Sequence, residues 1–197
     1  MNQQTIRSEF ESRYGEPYLL VRSPGRVNLI GEHTDYNLGF VLPAAVDKEI
    51  HFALAPSSDE QSHLYALDLN ESISFNSQSF QKSEKGWANY GLGVVDQLQQ
   101  LGHQIPAFSC VFGGNIPQGA GMSSSAALEC GLAVGLNTLF NLSIDKVDLV
   151  KLSQKAENEF VGMNCGIMDQ FPSAFGKDRP ALNSHRRSLD YESYPPH

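Results

Sequence analysis

Apolar positions recur along this chain with two different periods. Ile6, Phe10 and Arg13 at helical spacing predict a short first helix, ended near Gly15 and Pro17. Tyr18 to Val21 reads as a strand, and Val27, Leu29 and Ile30 as a second extended stretch. Ile50, Phe52 and Leu54 alternate, as do Leu67, Leu69, Ile73 and Phe75. These predict strands at 48–55, 64–69 and 72–76, with a turn near Asn70 and Glu71. Between Trp87 and Leu101, the residues Trp87, Tyr90, Val94, Val95 and Leu98 share one helical face. The apolar run Ala107–Phe112 predicts a strand, and the Ala-rich segment from Ala126 to Phe140 a helix. A last helix starts near Asp145, carries Val147, Leu149, Val150, Leu152 and Ala156, and ends at Glu157 and Glu159. No internal repeat or low-complexity tract interrupts the series.

A chain of 197 residues with 41% hydrophobic content can bury a core as one domain of ordinary size, with two small domains as the alternative. A net charge of −8 argues against a nucleic-acid or anionic-membrane surface. Cys110, Cys130 and Cys165 have no metal-ligand spacing and fit reduced thiols in a cytoplasmic setting. Met1 to Tyr14 lacks the apolar core of a signal peptide, and no apolar run is long enough to span a bilayer.

Chemistry concentrates in three places. The first is the stretch Ile116–Ala127, between the predicted strand and the Ala-rich helix. Gly119 and Gly121 allow close backbone approach to a ligand, and the helix start offers unpaired N–H groups. Together these suit a phosphate. Ser123, Ser124 and Ser125 add hydroxyls for phosphate oxygens or a hard cation. A plain loop with a serine N-cap is the alternative. No GxxxxGK[ST] pattern is present, so nucleotide charge must be met by backbone, cation and residues elsewhere. The second place is 26–35, where Arg26 precedes a turn crowded with Glu32, His33 and Asp35. Such a loop can read a polyhydroxylated ligand such as a sugar, or can be a solvated turn. In the third, Asp169 follows two glycines among apolar neighbours, as a helix cap or a positioned base. Trp87 reads most simply as a core or rim aromatic.

Three blocks carry a family resemblance. GRVNLIGEHTDYN at 25–37 resembles the galactokinase signature. IPQGAGMSSSAA at 116–127 resembles the ATP-binding motif shared by galactokinase, homoserine kinase, mevalonate kinase and phosphomevalonate kinase. AENEFVGMNCGIMDQF at 156–171 is similar to the galactokinase segment that holds the catalytic aspartate. The resemblance implies ATP-dependent phosphorylation of α-D-galactose at C1, or of a related sugar, with ATP and Mg2+ and without nucleic-acid or membrane partners. It implies Asp169 as the base and Arg26 as the group that stabilises the transferring phosphoryl. Glu32, His33, Thr34 and Asp35 would contact sugar, and Gly119, Ala120, Gly121, Met122, Ser123, Ser124 and Ser125 would hold the nucleotide. Ser125 and Glu157 would ligate magnesium.

The implied fold is α+β: the N-terminal domain of this kinase type, a mixed sheet covered by helices on one side, truncated before a C-terminal domain. Residues 1–176 form that domain, and 177–197 a poorly matching tail. Pro172 stands where the family carries an aliphatic residue, and Asn183-Ser184-His185-Arg186 replaces an apolar strand. A chain of this extent is expected to be a galactokinase polypeptide or a non-catalytic sugar- and nucleotide-binding remnant of one, self-associating through surface that a second half would cover.

Overall fold

The structure, a computed structural model, describes residues 1–28, 43–117, 121–175, 181–185 and 190–194. Helix α1 (Gln3–Tyr14) is capped by Asn2, whose side chain accepts from the Thr5 N–H at 3.0 Å, and it stops at Gly15, where φ is +86°. Strand β1 (Leu19–Asn28) carries the first extended stretch read from sequence on to Val27 of the second, whose Leu29 and Ile30 lie outside the described residues. Its register against β2 (Pro43–Pro56) shifts between Pro24 and Arg26. Proline cannot donate to a ladder, so a bulge is where a paired strand tolerates it. β2 runs well beyond its predicted 48–55. The hairpin β3 (Ser62–Ala66) and β4 (Glu71–Phe75) follows, with Asn70 in the left-handed region at φ 52°. Leu67 and Leu69 fall in its turn rather than in a strand.

Helix α2 (Ala88–Gln100) leads to β5 (Phe108–Gly114), and α3 (Ser124–Leu139) follows the serine loop. Asp145 caps α4 (Lys146–Lys155) by accepting from the Asp148 N–H at 2.9 Å. The chain does not end its helix at Glu157. It widens into a π-helical turn, Ala156–Val161, closed by Gly162. A 3-10 turn, Ile167–Asp169, runs into the short helix α5 (Gln170–Phe175). Pro172 falls in the first turn of α5, where a missing N–H has no intrahelical partner to lose. β6 (Ala181–His185) and β7 (Asp190–Tyr194) lie in the stretch read from sequence as a poorly matching tail; they pair with each other, and β6 meets β2 at Ala44 and Ala181.

The sheet has seven strands in the order β4-β3-β5-β2-β6-β7, with β1 pairing β2. β3 and β5 run parallel and the other pairs antiparallel, so the sheet is mixed. Phe52, Leu54, Leu64, Cys110 and Phe112 point to one face and join the large core with α2, α3 and α4. Their neighbours Ala53, Tyr65 and Val111 point to the other face, where Ile6 and Phe10 of α1 cover them. The expected one-sided helix layer is therefore corrected: α1 seals the second face. α3 lies very close to the sheet, since a Cβ at Gly131 would stand 2.2 Å from the Phe52 ring.

Candidate active site

The β1 bulge, the start of α3 and the start of α5 meet at one point. Gly25 makes the first contact possible. A Cβ there would lie 2.9 Å from the Met122 carbonyl oxygen and 3.2 Å from the Ile116 side chain. With only hydrogen at that position, the Arg26 N–H donates to the Met122 carbonyl at 3.2 Å. The strand that carries Arg26 is thus bonded to the loop that precedes α3. The Arg26 guanidinium adds a bond from Nη1 to the Gly121 carbonyl at 2.5 Å.

Arg26 Nε donates to Asp169 Oδ1 at 2.8 Å, and Nη2 reaches the same oxygen. The other carboxylate oxygen, Oδ2, accepts from the Ser123 hydroxyl at 2.7 Å. The Arg26 and Asp169 side chains are 11% and 20% exposed, so the pair is shielded but still open to a ligand. Two buried hydrogen bonds hold their backbones in register. Ser173 Oγ donates to the Pro24 carbonyl at 2.8 Å, and Ser23 Oγ donates to the Ser173 carbonyl at 3.3 Å. Cys130 on α3 donates to the Gln170 carbonyl at 3.4 Å. A carboxylate oxygen has more than one lone pair, so Asp169 can still accept a proton while both donors are in place.

Beside this pair opens a cleft of about 630 Å3, a size that holds a small-molecule ligand. Ser124 and Ser125, both in the first turn of α3, line it together with Ile116 and Leu128. Trp87, Asn89, Tyr90, Phe112 and Asp68 line it from the sheet and α2. Trp87 Nε1 donates to Glu71 at 2.7 Å and its ring lies 5.7 Å from that of Phe112, which fixes the indole at the rim. The cleft therefore joins an apolar, aromatic wall to a helix N-terminus, as a nucleotide requires.

Behind α3 sits a buried acidic pair. Glu157 of the π-helical turn is 6% exposed and accepts from Gln170 Nε2 at 3.1 Å. Glu129 is fully buried, and neither of its carboxylate oxygens has a hydrogen-bond partner among the described residues. Burial first, and the adjacent Glu157 charge second, hold the Glu129 carboxyl well above the ordinary glutamate range. The same two causes push the Cys165 thiol and the Tyr90 phenol up. Ser125 and Glu129 are four residues apart on α3 and so share a face.

Residues 8–56 match the galactokinase galactose-binding signature, and residues 89–177 match the GHMP kinases N terminal domain. The galactokinase of Clostridium tetani is 42% identical over 198 residues, covering 99% of this chain and 50% of its own length. That of Bacillus subtilis is 43% identical over 194 residues, covering 95% of this chain and 50% of its own length. A crystal structure of Lactococcus lactis galactokinase complexed with galactose superimposes with a TM-score of 0.89 at 36% identity, over 98% of this chain and 51% of that one. The chain is similar to galactokinases over nearly its whole length. It spans about half the length of the curated relatives it matches. The mevalonate kinase of Methanococcus jannaschii, with a TM-score of 0.73 at 19% identity over 90% of this chain and 56% of that one, shares the fold.

Of the positions the galactokinase resemblance singles out, Asp169 and Arg26 are in direct contact, and Gly121, Met122 and Ser123 touch that pair. Ser124 and Ser125 face the cleft. Glu32, His33, Thr34 and Asp35 lie outside the described residues, as do Gly119 and Ala120. Asp169 caps no helix; its carboxylate is held by Arg26 and Ser123. Ser123 does not cap α3 with its side chain either. Two residues went unnoticed in the sequence. Glu129 is the sole charge in the apolar run from Ala126 to Phe140, and that isolation was its signal. Gln170 follows Asp169 directly, and nothing local announced that its amide would reach back to Glu157.

Proposed function

We propose that the chain carries the catalytic half-site of a galactokinase, which transfers the γ-phosphoryl group of ATP to the C1 hydroxyl of α-D-galactose. The observation that carries this reading is the contact between Asp169 and Arg26, bonded through Ser123 to the serine run whose Ser124 and Ser125 line the cleft. Phosphoryl transfer asks a protein for positioning and charge neutralisation more than for covalent chemistry. Asp169 takes the proton of the C1 hydroxyl as that oxygen bonds to the γ-phosphorus. The bond from phosphorus to the bridging oxygen breaks, and ADP leaves with the electron pair. Arg26 neutralises charge on the transferring group. Gly119 to Ser125 would receive the phosphates, and Glu32, His33, Thr34 and Asp35 would read the sugar. The Lactococcus lactis relative, solved with galactose, supports galactose as the acceptor.

Ser125 and Glu157 would hold magnesium. Their hydroxyl and carboxylate oxygens are hard donors suited to it, and the orphaned Glu129 carboxylate beside Glu157 leaves the region short of positive charge. Among the described residues no three His, Cys, Asp or Glu side chains gather around one point. An ion bound largely through substrate phosphates needs few protein ligands. When bound, magnesium would neutralise the phosphate oxygens and orient them. The three free cysteines support a cytoplasmic setting, and no described helix is long and apolar enough to cross a membrane.

The test is a coupled assay of ADP release by the purified chain with galactose, N-acetylgalactosamine and arabinose. Turnover with galactose above the other sugars is expected. Nucleotide and sugar binding without turnover would mark a binding protein instead.

A further inference from the structure

We infer that Ser123 is a positioning residue for Asp169, its hydroxyl serving the carboxylate rather than a nucleotide phosphate. This rests on the proposed phosphotransferase site and changes the task of one loop residue.

Three observations carry it. Ser123 directly precedes the first residue of α3, where a serine ordinarily takes an extended backbone and accepts an N–H of the first turn. Here φ is 48° and ψ is 60°, a left-handed conformation uncommon outside glycine and asparagine, and the side chain makes no capping bond. The hydroxyl is instead 2.7 Å from Asp169 Oδ2. A hydroxyl has one proton to donate. With that proton on Asp169, Ser123 has none for a phosphate oxygen, which itself only accepts. Ser124 and Ser125 line the cleft; Ser123 is absent from its lining.

The bond completes a clamp. Arg26 holds Oδ1 and Ser123 holds Oδ2, so the plane of the carboxylate is set from both sides. The neighbouring carbonyls of Gly121 and Met122 accept from Arg26, so three consecutive loop residues steady the charge pair. The loop that would receive the nucleotide thereby aims the base at the acceptor, in the way a supporting hydrogen bond orients a catalytic group.

The experiment compares Ser123→Gly with Ser124→Ala in the intact chain. Glycine accepts the left-handed backbone and removes the hydroxyl together with its single methylene. Two quantities are read: the carboxyl-carbon NMR resonance of Asp169 at neutral pH, and the dissociation constant of MgATP by calorimetry. Ser123→Gly is expected to move the Asp169 resonance and leave MgATP affinity within about twofold. Ser124→Ala is expected to leave the resonance in place. Where turnover is present, Ser123→Gly should lower kcat about tenfold or more with KM for ATP unchanged, the loss of a hydrogen bond to a charged group. An Asp169 resonance indifferent to Ser123→Gly overturns the assignment, as does a tenfold loss of MgATP affinity. The resonance decides the matter even if no sugar is turned over, so failure of the proposed activity and failure of this assignment are told apart.

Discussion

Arg26 grips one carboxylate oxygen of Asp169 across 143 positions of sequence, and the two side chains are largely shielded from water. Asp169→Asn keeps the shape and removes the charge. In a turnover assay kcat should fall by about 10²–10⁴-fold with sugar binding retained. Arg26→Lys keeps a charge but loses the planar fork whose Nε and Nη2 share Oδ1 while Nη1 holds Gly121. It should be impaired as well. Because the two groups form one charge arrangement, the double variant should be little worse than the poorer single one. Fully multiplicative losses would show that they act independently.

Two glycines separate packing from ligand binding. Gly131→Ala would place a methyl 2.2 Å from the Phe52 ring and 2.9 Å from Ser23 Cβ, in the buried contact of α3 with the sheet. Overpacking of this kind should cost about 1–3 kcal/mol of stability, measured by denaturant unfolding, with little change in nucleotide affinity per folded molecule. Gly25→Ala would press on the Met122 carbonyl, a backbone atom of the loop that precedes α3. It should lower MgATP affinity as well as stability. If both variants lose stability alone, the β1–loop contact does not shape the proposed nucleotide site.

How far these relationships could be read from sequence depends on their range. The period of the apolar residues located α1, α2, α3, α4 and β5 within a few positions, because burial on one face is a local pattern. It split β1 at Pro24 and shortened β2, because a bulge and long pairing are decided by the partner strand. Glu157 and Glu159 looked like a polar helix end. Instead the backbone widens into a π-helical turn that turns Glu157 inward, a rearrangement with no periodic signature. The β6–β7 pairing depends on backbone bonds that any side chains can share. At the site, the galactokinase-like blocks marked Arg26 and Asp169. The clamp from Ser123 and the orphaned Glu129 appear only when elements distant in sequence are packed together.

Gln170 supports Glu157 from behind through its amide, at 3.1 Å. Gln170→Met keeps the length and apolar stem and removes the donor. If Glu157 ligates the cation, loss of this bond should weaken it about 10–100-fold, the usual scale for a group that orients a metal ligand. Manganese titration followed by electron paramagnetic resonance, with nucleotide present, reads this without turnover. Unchanged manganese affinity would leave Gln170 a packing residue.

Glu129 sets a pH dependence with a definite sign. Its folded-state value stands well above the ordinary 4.5, from burial and the neighbouring Glu157 charge. Below about pH 4.5 the carboxyl is protonated in folded and unfolded chains alike, and its contribution to stability is fully present. Above that, the unfolded chain releases the proton while the folded chain retains it. The native state then binds more protons, so stability is lost as pH rises toward the folded value. Glu129→Gln has no proton to lose, and its amide can donate to Glu157. In metal-free buffer the Tm of the variant minus that of the parent should therefore grow from pH 4.5 to pH 8. Titrating groups away from this acidic pair are common to both proteins and cancel in the difference. Parallel Tm profiles across that range would show that Glu129 is ionised to the same degree folded and unfolded, and that a donor compensates its burial.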